Sequence, residues 1–258
     1  MRILLVNDDG ILAPGLAALR AAVEDLGEVT VVAPDSPQSA AGRSITLHAP
    51  IACQRVHVDG RFWGYGVSGR PADCVKLAVR ELMEAPPQLL LAGINPGANT
   101  GVNVFYSGTV AAAAEGALLG IASVAFSLDR GGEMDFHRAG RLCRWVLDAL
   151  LAAGLAEGEL VNVNLPALSA DRPRGVKVVP QGTAAITESY RREEQAGGSA
   201  LFQLNEQYEH GPQEQETDVE ALAGGFITIT PLKSDMTDRA RLPRLQGHTW
   251  GLPPEGNG

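Results

Sequence analysis

The sequence predicts an α/β protein built on a doubly wound, mainly parallel sheet. Three observations carry that reading. Five apolar runs alternate with four helical patterns over roughly the first 165 residues. The runs lack polar alternation, as strands buried on both faces do. The oxygen-rich polar residues gather directly after three of those runs, at the edge where such sheets bind ligands.

Ile3-Leu4-Leu5-Val6 is the first strand. Pro14 starts the following helix and Gly27 ends it, with Leu16, Leu19, Val23 and Leu26 at helical spacing. VTVVAP (29–34) completes a βαβ unit with a right-handed crossover. The stretch 35–50, DSPQSAAGRSITLHAP, is turn-rich and reads as a functional loop. Residues 51–66 alternate loosely, like a hairpin or an edge excursion. Helices are expected at 71–83, 108–120 and 136–154, and strands at 88–93, 121–128 and 160–166. Ala111-Ala112-Ala113-Ala114 suits close helix–sheet packing. After Pro166, VKVVPQG and GGFITITPL are strand-like, and the charged 183–217 between them reads as a solvated hairpin or arm. The tail from Ser234 is expected to be disordered at its tip. Residues 1–166 form the expected core, and 167–258 a C-terminal β segment, arm and tail of the same unit.

Composition narrows the partners. The chain has 258 residues and a formal charge of -9, which argues against a nucleic acid polymer or an anionic membrane as partner. No apolar run approaches the roughly 18 residues of a membrane span. The start MRILLV, one basic residue followed by two acids, is unlike a signal peptide. Cys53, Cys74 and Cys143 show no CxxC spacing and read as buried free thiols. A soluble, cytoplasmic protein is expected.

NDDG raises the functional question. Adjacent carboxylates at the end of a buried strand repel and lose hydration, which is costly unless a cation or shared protons offset it. One Asp would serve a turn; the pair Asp8-Asp9 points to a ligand site. Asp35, Ser36, Gln38 and Ser39 follow the second strand, with Arg43 further on. Gly93-Ile94-Asn95-Pro96-Gly97-Ala98-Asn99 follows the third, leading through Ser107-Gly108-Thr109 into a helix. This donor set suits Mg²⁺ or Mn²⁺ better than Zn²⁺. The turn before the helix is a ready anion site. A divalent metal beside it makes a phosphate site, and a metal-activated water in line with the phosphorus would make that a phosphatase site. Gly10 and Gly15 do not form G-x-G-x-x-G, so dinucleotide binding fits poorly.

NDDG, PDSPQSAAGRSIT, GINPGANTGVNVFYSGTVAAAAEG and TDVEALAGGFITITPL resemble the SurE family of survival proteins, from residue 1 to about 240. That resemblance implies a Rossmann-like core with a C-terminal β arm exchanged between subunits, in a homodimer or homotetramer. It implies metal-dependent hydrolysis of nucleoside 5′- and 3′-monophosphates, with a side activity on polyphosphate. By motif, one Mg²⁺ or Mn²⁺ per subunit falls to Asp8, Asp9, Ser39 and Asn95, with Asp8 and Asp9 catalytic through metal-activated water. Asn99, Ser107, Gly108 and Thr109 come close to the substrate phosphate. Two stretches depart from the family's usual wording: Arg70 in SGRPADC, and VVPQG near 176–182. The other reading is a noncatalytic stress protein that binds metal or nucleotide.

Overall fold

Arg2–Val6 forms β1 of a nine-stranded sheet in the computed structural model, which describes residues 1–131, 134–183, 186–195, 199–208 and 215–251. Ile3 and Leu5 pack into one face of the sheet and Leu4 and Val6 into the other, all fully buried. Burial on both faces is why the strand carries no polar alternation.

β1 pairs in parallel with β2 (Glu28–Pro34) on one side and β5 (Leu89–Pro96) on the other. β6 (Ala122–Leu128) and β7 (Leu160–Leu165) extend the parallel run beyond β5. Chain connections therefore leave β1 in opposite directions, and the gap between β1 and β5 is the topological switch point where such sheets place ligands.

Four helices cover the two faces. On one, Leu16 and Leu19 of α1 (Pro14–Val23) pack with Cys143, Val146 and Leu147 of α4 (Phe136–Ala152). On the other, Val75 of α2 (Pro71–Leu77) packs with Val110, Ala112 and Ala113 of α3 (Gly108–Leu118). The small residues of α3 let it lie close to the sheet. A Cβ on Gly116 would fall 2.5 Å from Ser123 Oγ and 2.7 Å from Leu90 Cδ1.

The expected α/β fold is present, with local differences. Residues 53–58 and 61–67 form the hairpin β3–β4, turned by Asp59 and Gly60 at φ of 50° and 74°. Asp-Gly is the residue pair such a two-residue turn demands. β4 also joins β2 in parallel, so this hairpin widens the sheet. The helix expected at 71–83 stops at Leu77 and continues as a π turn, closed by Met83 N–H donating to Ala78 O (3.0 Å). Cys74 and Cys143 are buried free thiols; Cys53 is free but exposed, because β3 is the outermost strand.

Past β7, the strand expected near 176–182 shortens to β8 (Val176–Val178), ahead of Pro180. The charged arm is the antiparallel hairpin β9 (Ile186–Glu194) and β10 (Ala200–Tyr208), a two-stranded sheet of its own. A short helix, α5 (Asp218–Ala223), follows behind a capping box of Thr217 and Glu220. β11 (Ile227–Leu232) then inserts between β7 and β8. One further turn of helix, α6 (Leu242–Gln246), lies in the exposed tail. The tip at 252–258 is outside the described residues. Among the described residues, no helix is long and apolar enough to cross a membrane.

Gly15, just after NDDG, sets the approach of α1 to the carboxyl end of β5: a Cβ there would meet Ile94 O at 2.0 Å. Gly15→Ala is expected to cost about 1–3 kcal/mol through overpacking, read as a lower urea midpoint at unchanged m-value. An unchanged midpoint would show that the two elements part freely.

Candidate active site

NDDG closes on itself. Buried Asn7 donates from Nδ2 to Gly10 O (2.9 Å) and accepts from Gly10 N–H at Oδ1 (3.2 Å). This Asn-centred turn holds the two aspartates beyond the end of β1. Gln38 N–H donates to Asp8 O (2.7 Å), which ties the loop carrying Ser39 to the same turn.

The two acids have opposite surroundings. Asp8 is buried and sits on the first turn of α3, where the Thr109 hydroxyl donates to its Oδ1 and the Gly108 and Thr109 amides face its carboxylate. A Cβ on Gly108 would come within 2.8 Å of Asp8 Oδ2. Burial pushes the Asp8 carboxyl above its ordinary range, and these three donors offset part of that rise. Asp9 has no such cradle. Its Oδ2 is buried with no hydrogen-bond partner. Burial first, and the Asp8 charge second, raise its pKa to about 7, with Arg130 pulling the other way.

The first turn of α3 thus faces Asp8. The turn expected to lie close to a substrate phosphate also donates to the carboxylate of Asp8. Ser107 Oγ caps the helix by accepting from Val110 N–H (3.1 Å). Asn99 is also engaged: its Nδ2 donates to Ser127 Oγ (2.8 Å), and its backbone is gripped by Asn162 and Asn164 of β7. Asn95 donates from Nδ2 to Gly97 O (2.7 Å), leaving its amide oxygen unpartnered among the described residues. Ser39 is exposed.

All these loops open on one cavity of about 820 Å³, with Asp8, Asp9, Ser39, Asn95, Asn99 and Ser107 in its wall. Tyr106 stands exposed there as pocket wall, and Tyr190 and Leu204 of the hairpin with Leu222 of α5 add an apolar side. Such a volume takes a small-molecule ligand. Among the described residues, no three His, Cys, Asp or Glu side chains gather to hold a metal. The acid pair instead stands among neutral oxygen donors.

Sequence reading missed several residues around the cavity. Asn162 and Asn164 are polar residues at period two in a strand otherwise apolar, which is a readable signal. Asp218 accepts from Gly101 N–H (3.0 Å) and Gly182 N–H (2.8 Å), bracing the loop past Asn99. Arg130 and Tyr190 carry no local signal at all. The departure at Arg70 also has a contact: its guanidinium donates to Gln38 Oε1, beside Ser39. Asp73, in the first turn of α2, pins the same loop by accepting from Thr46 N–H (3.0 Å) and Thr46 Oγ1 (2.7 Å).

The family model described as Survival protein SurE matches residues 3–188. The chain belongs to the SurE family. A SurE relative from Rhodopirellula baltica, named a 5′-nucleotidase, is 42% identical over 98% of this chain and 100% of its own length. Another of the same name, from Syntrophobacter fumaroxidans, is 44% identical over 92% of this chain and 95% of its own. The crystal structure of the SurE protein from Aquifex aeolicus superposes with a TM-score of 0.82 at 37% identity, covering 95% of this chain and 98% of that one.

The raised Asp9 pKa has a sign that can be tested. The unfolded chain loses this proton near 3.8 and the folded chain near 7, so stability of the cation-free SurE protein falls as pH rises through that window. Asp9→Asn removes the penalty. Its stability gain over the native chain, from urea denaturation in chelator, is expected to grow between pH 4 and 7 and then level off. A gain independent of pH would contradict the buried-carboxylate account.

Proposed function

We propose that this SurE protein is a metal-dependent phosphomonoesterase that hydrolyses nucleoside 5′-monophosphates, and 3′-monophosphates, to nucleoside and phosphate. The observation that carries the reading is the acid pair at the switch point, with one carboxylate oxygen buried and unpartnered beside a cavity of ligand size. The 5′-nucleotidase names of its relatives support the reaction class.

The donors fit a hard divalent cation. Asp8, Asp9, Ser39 and Asn95 are all oxygen ligands, and the orphaned Asp9 Oδ2 is an atom that a cation would satisfy. One Mg²⁺ or Mn²⁺ per subunit would supply positive charge for phosphoryl oxygens and make water more acidic. The protein's own part follows from the contacts. The Thr109 hydroxyl and the amides of Gly108 and Thr109 offset part of the cost of burying Asp8 and hold its carboxyl in place. Asp9, without that cradle, is the carboxylate free to orient an attacking water and take its proton. Asn162 and Asn164 fix the 96–100 loop, and with it Asn95. Tyr106, Tyr190 and Leu222 give the nucleoside an apolar wall. Release of terminal phosphate from polyphosphate is a side activity of the same site.

The test is phosphate release from a panel of nucleoside 5′- and 3′-monophosphates with EDTA, Mg²⁺ or Mn²⁺. Release is expected only with metal, and Asp8→Asn or Asp9→Asn is expected to lose about 10³-fold or more in kcat while staying folded. Near-normal turnover in either variant would overturn the metal assignment. A folded native protein that releases nothing under any metal would leave a binding protein.

The reading extends to a homodimer or homotetramer built through the hairpin arm, where Tyr190, Leu201, Phe202 and Leu204 stand exposed. Light scattering is expected to give two or four chains, and Leu201→Glu with Phe202→Glu to lower that number. A native monomer would refute it.

A further inference from the structure

Phosphate binding at this cavity faces a shortage of positive charge. A phosphate monoester carries nearly two negative charges at neutral pH. Asp8, Asp9 and Asp129 already line the cavity. One divalent cation balances Asp8 and Asp9 and no more. The N-terminus of α3, the ready anion site, faces Asp8.

Arg130 is the cationic side chain among the described residues of the cavity wall. It follows β6, two residues past the strand end. Its Nε donates to Pro96 O (2.8 Å), which fixes the plane of the guanidinium. Gly97 permits this placement: a Cβ there would stand 3.3 Å from Arg130 Nε and 3.7 Å from Asn95 Nδ2. Guanidinium and Asn95 amide therefore flank the same bare Cα. The Nη groups have no protein acceptor among the described residues. The charge is also felt at Asp9.

We propose that Arg130 is a phosphate-binding residue, donating from its Nη groups to the oxygens of the substrate's phosphoryl group and of the orthophosphate released. The anchored fork suits two oxygens of one phosphate. It makes the dianionic monoester the preferred substrate form. The inference rests on the phosphatase reading above.

The experiment compares the full-length native chain, Arg130→Gln and Arg130→Lys in Mg²⁺, with melting curves to verify folding. It measures orthophosphate binding by calorimetry and kcat and KM with a nucleoside 5′-monophosphate. Arg130→Gln is expected to weaken orthophosphate binding and raise KM by about 10- to 100-fold, with a smaller change in kcat. Arg130→Lys, keeping charge without the fork, is expected to restore part of both. A folded Arg130→Gln with unchanged orthophosphate affinity and KM overturns the assignment, as does native protein that binds no orthophosphate. Orthophosphate affinity that falls in Arg130→Gln, in a native protein that releases no phosphate, keeps Arg130 and removes the phosphatase reading instead.

Discussion

Asp8 is a carboxylate almost without water around it, held by three donors from the first turn of α3. Much else depends on that contact. It requires α3 to reach the end of β1, which requires the helix to lie low on the sheet. The low approach is possible because Gly108 and Gly116 have no side chain to stand in the way. A single methyl group at Gly108 would press on Asp8 and tilt the whole constellation. The alanines between the two glycines serve the same approach along the buried face.

The consequence is a division of labour between neighbours in the chain. An ionised carboxylate buried with donors is tolerable, and one buried without them is expensive. Asp8 has donors of that sort, and Asp9 Oδ2 has none. The cost at Asp9 is carried by the fold, which has strands paired on both sides of β1 and two covered faces. An unsatisfied group supported in this way is a standing affinity for whatever can satisfy it. The surrounding loops are braced by direct contacts: Asn7 closes its own turn, Asp73 and Arg70 hold the loop beside Ser39, and Asp218 holds the segment after Asn99.

The sheet was legible because its information is local and periodic. Runs such as LLLAG and ASVAF have no alternation, and Pro14, Gly27 and Ser107 punctuate them. Convergence of the three loops followed from topology alone, since the ends of parallel strands share an edge. What stayed hidden depends on distance in space rather than in sequence. Nothing around Arg130 says that its guanidinium will lie over Gly97, 33 positions earlier in the chain. The turn at Ser107-Gly108-Thr109 was readable as an anion site, but its contact with Asp8 was not. The π turn after α2 and the exposure of Cys53 were likewise products of packing and edge position.

The cavity has two kinds of wall. Its polar side is welded to the central sheet, while Tyr190 and Leu204 come from a separate two-stranded ribbon. These parts are anchored differently. A change in the sheet disturbs folding and the acid pair together, whereas a change in the ribbon leaves the strands beneath the carboxylates in place. Substitutions at Tyr190 or Leu204 can therefore reshape the apolar wall without touching the carboxylates. In such a scaffold the shape of the cavity and the acid pair can be altered separately, and an engineer seeking a new ligand preference would begin on the ribbon.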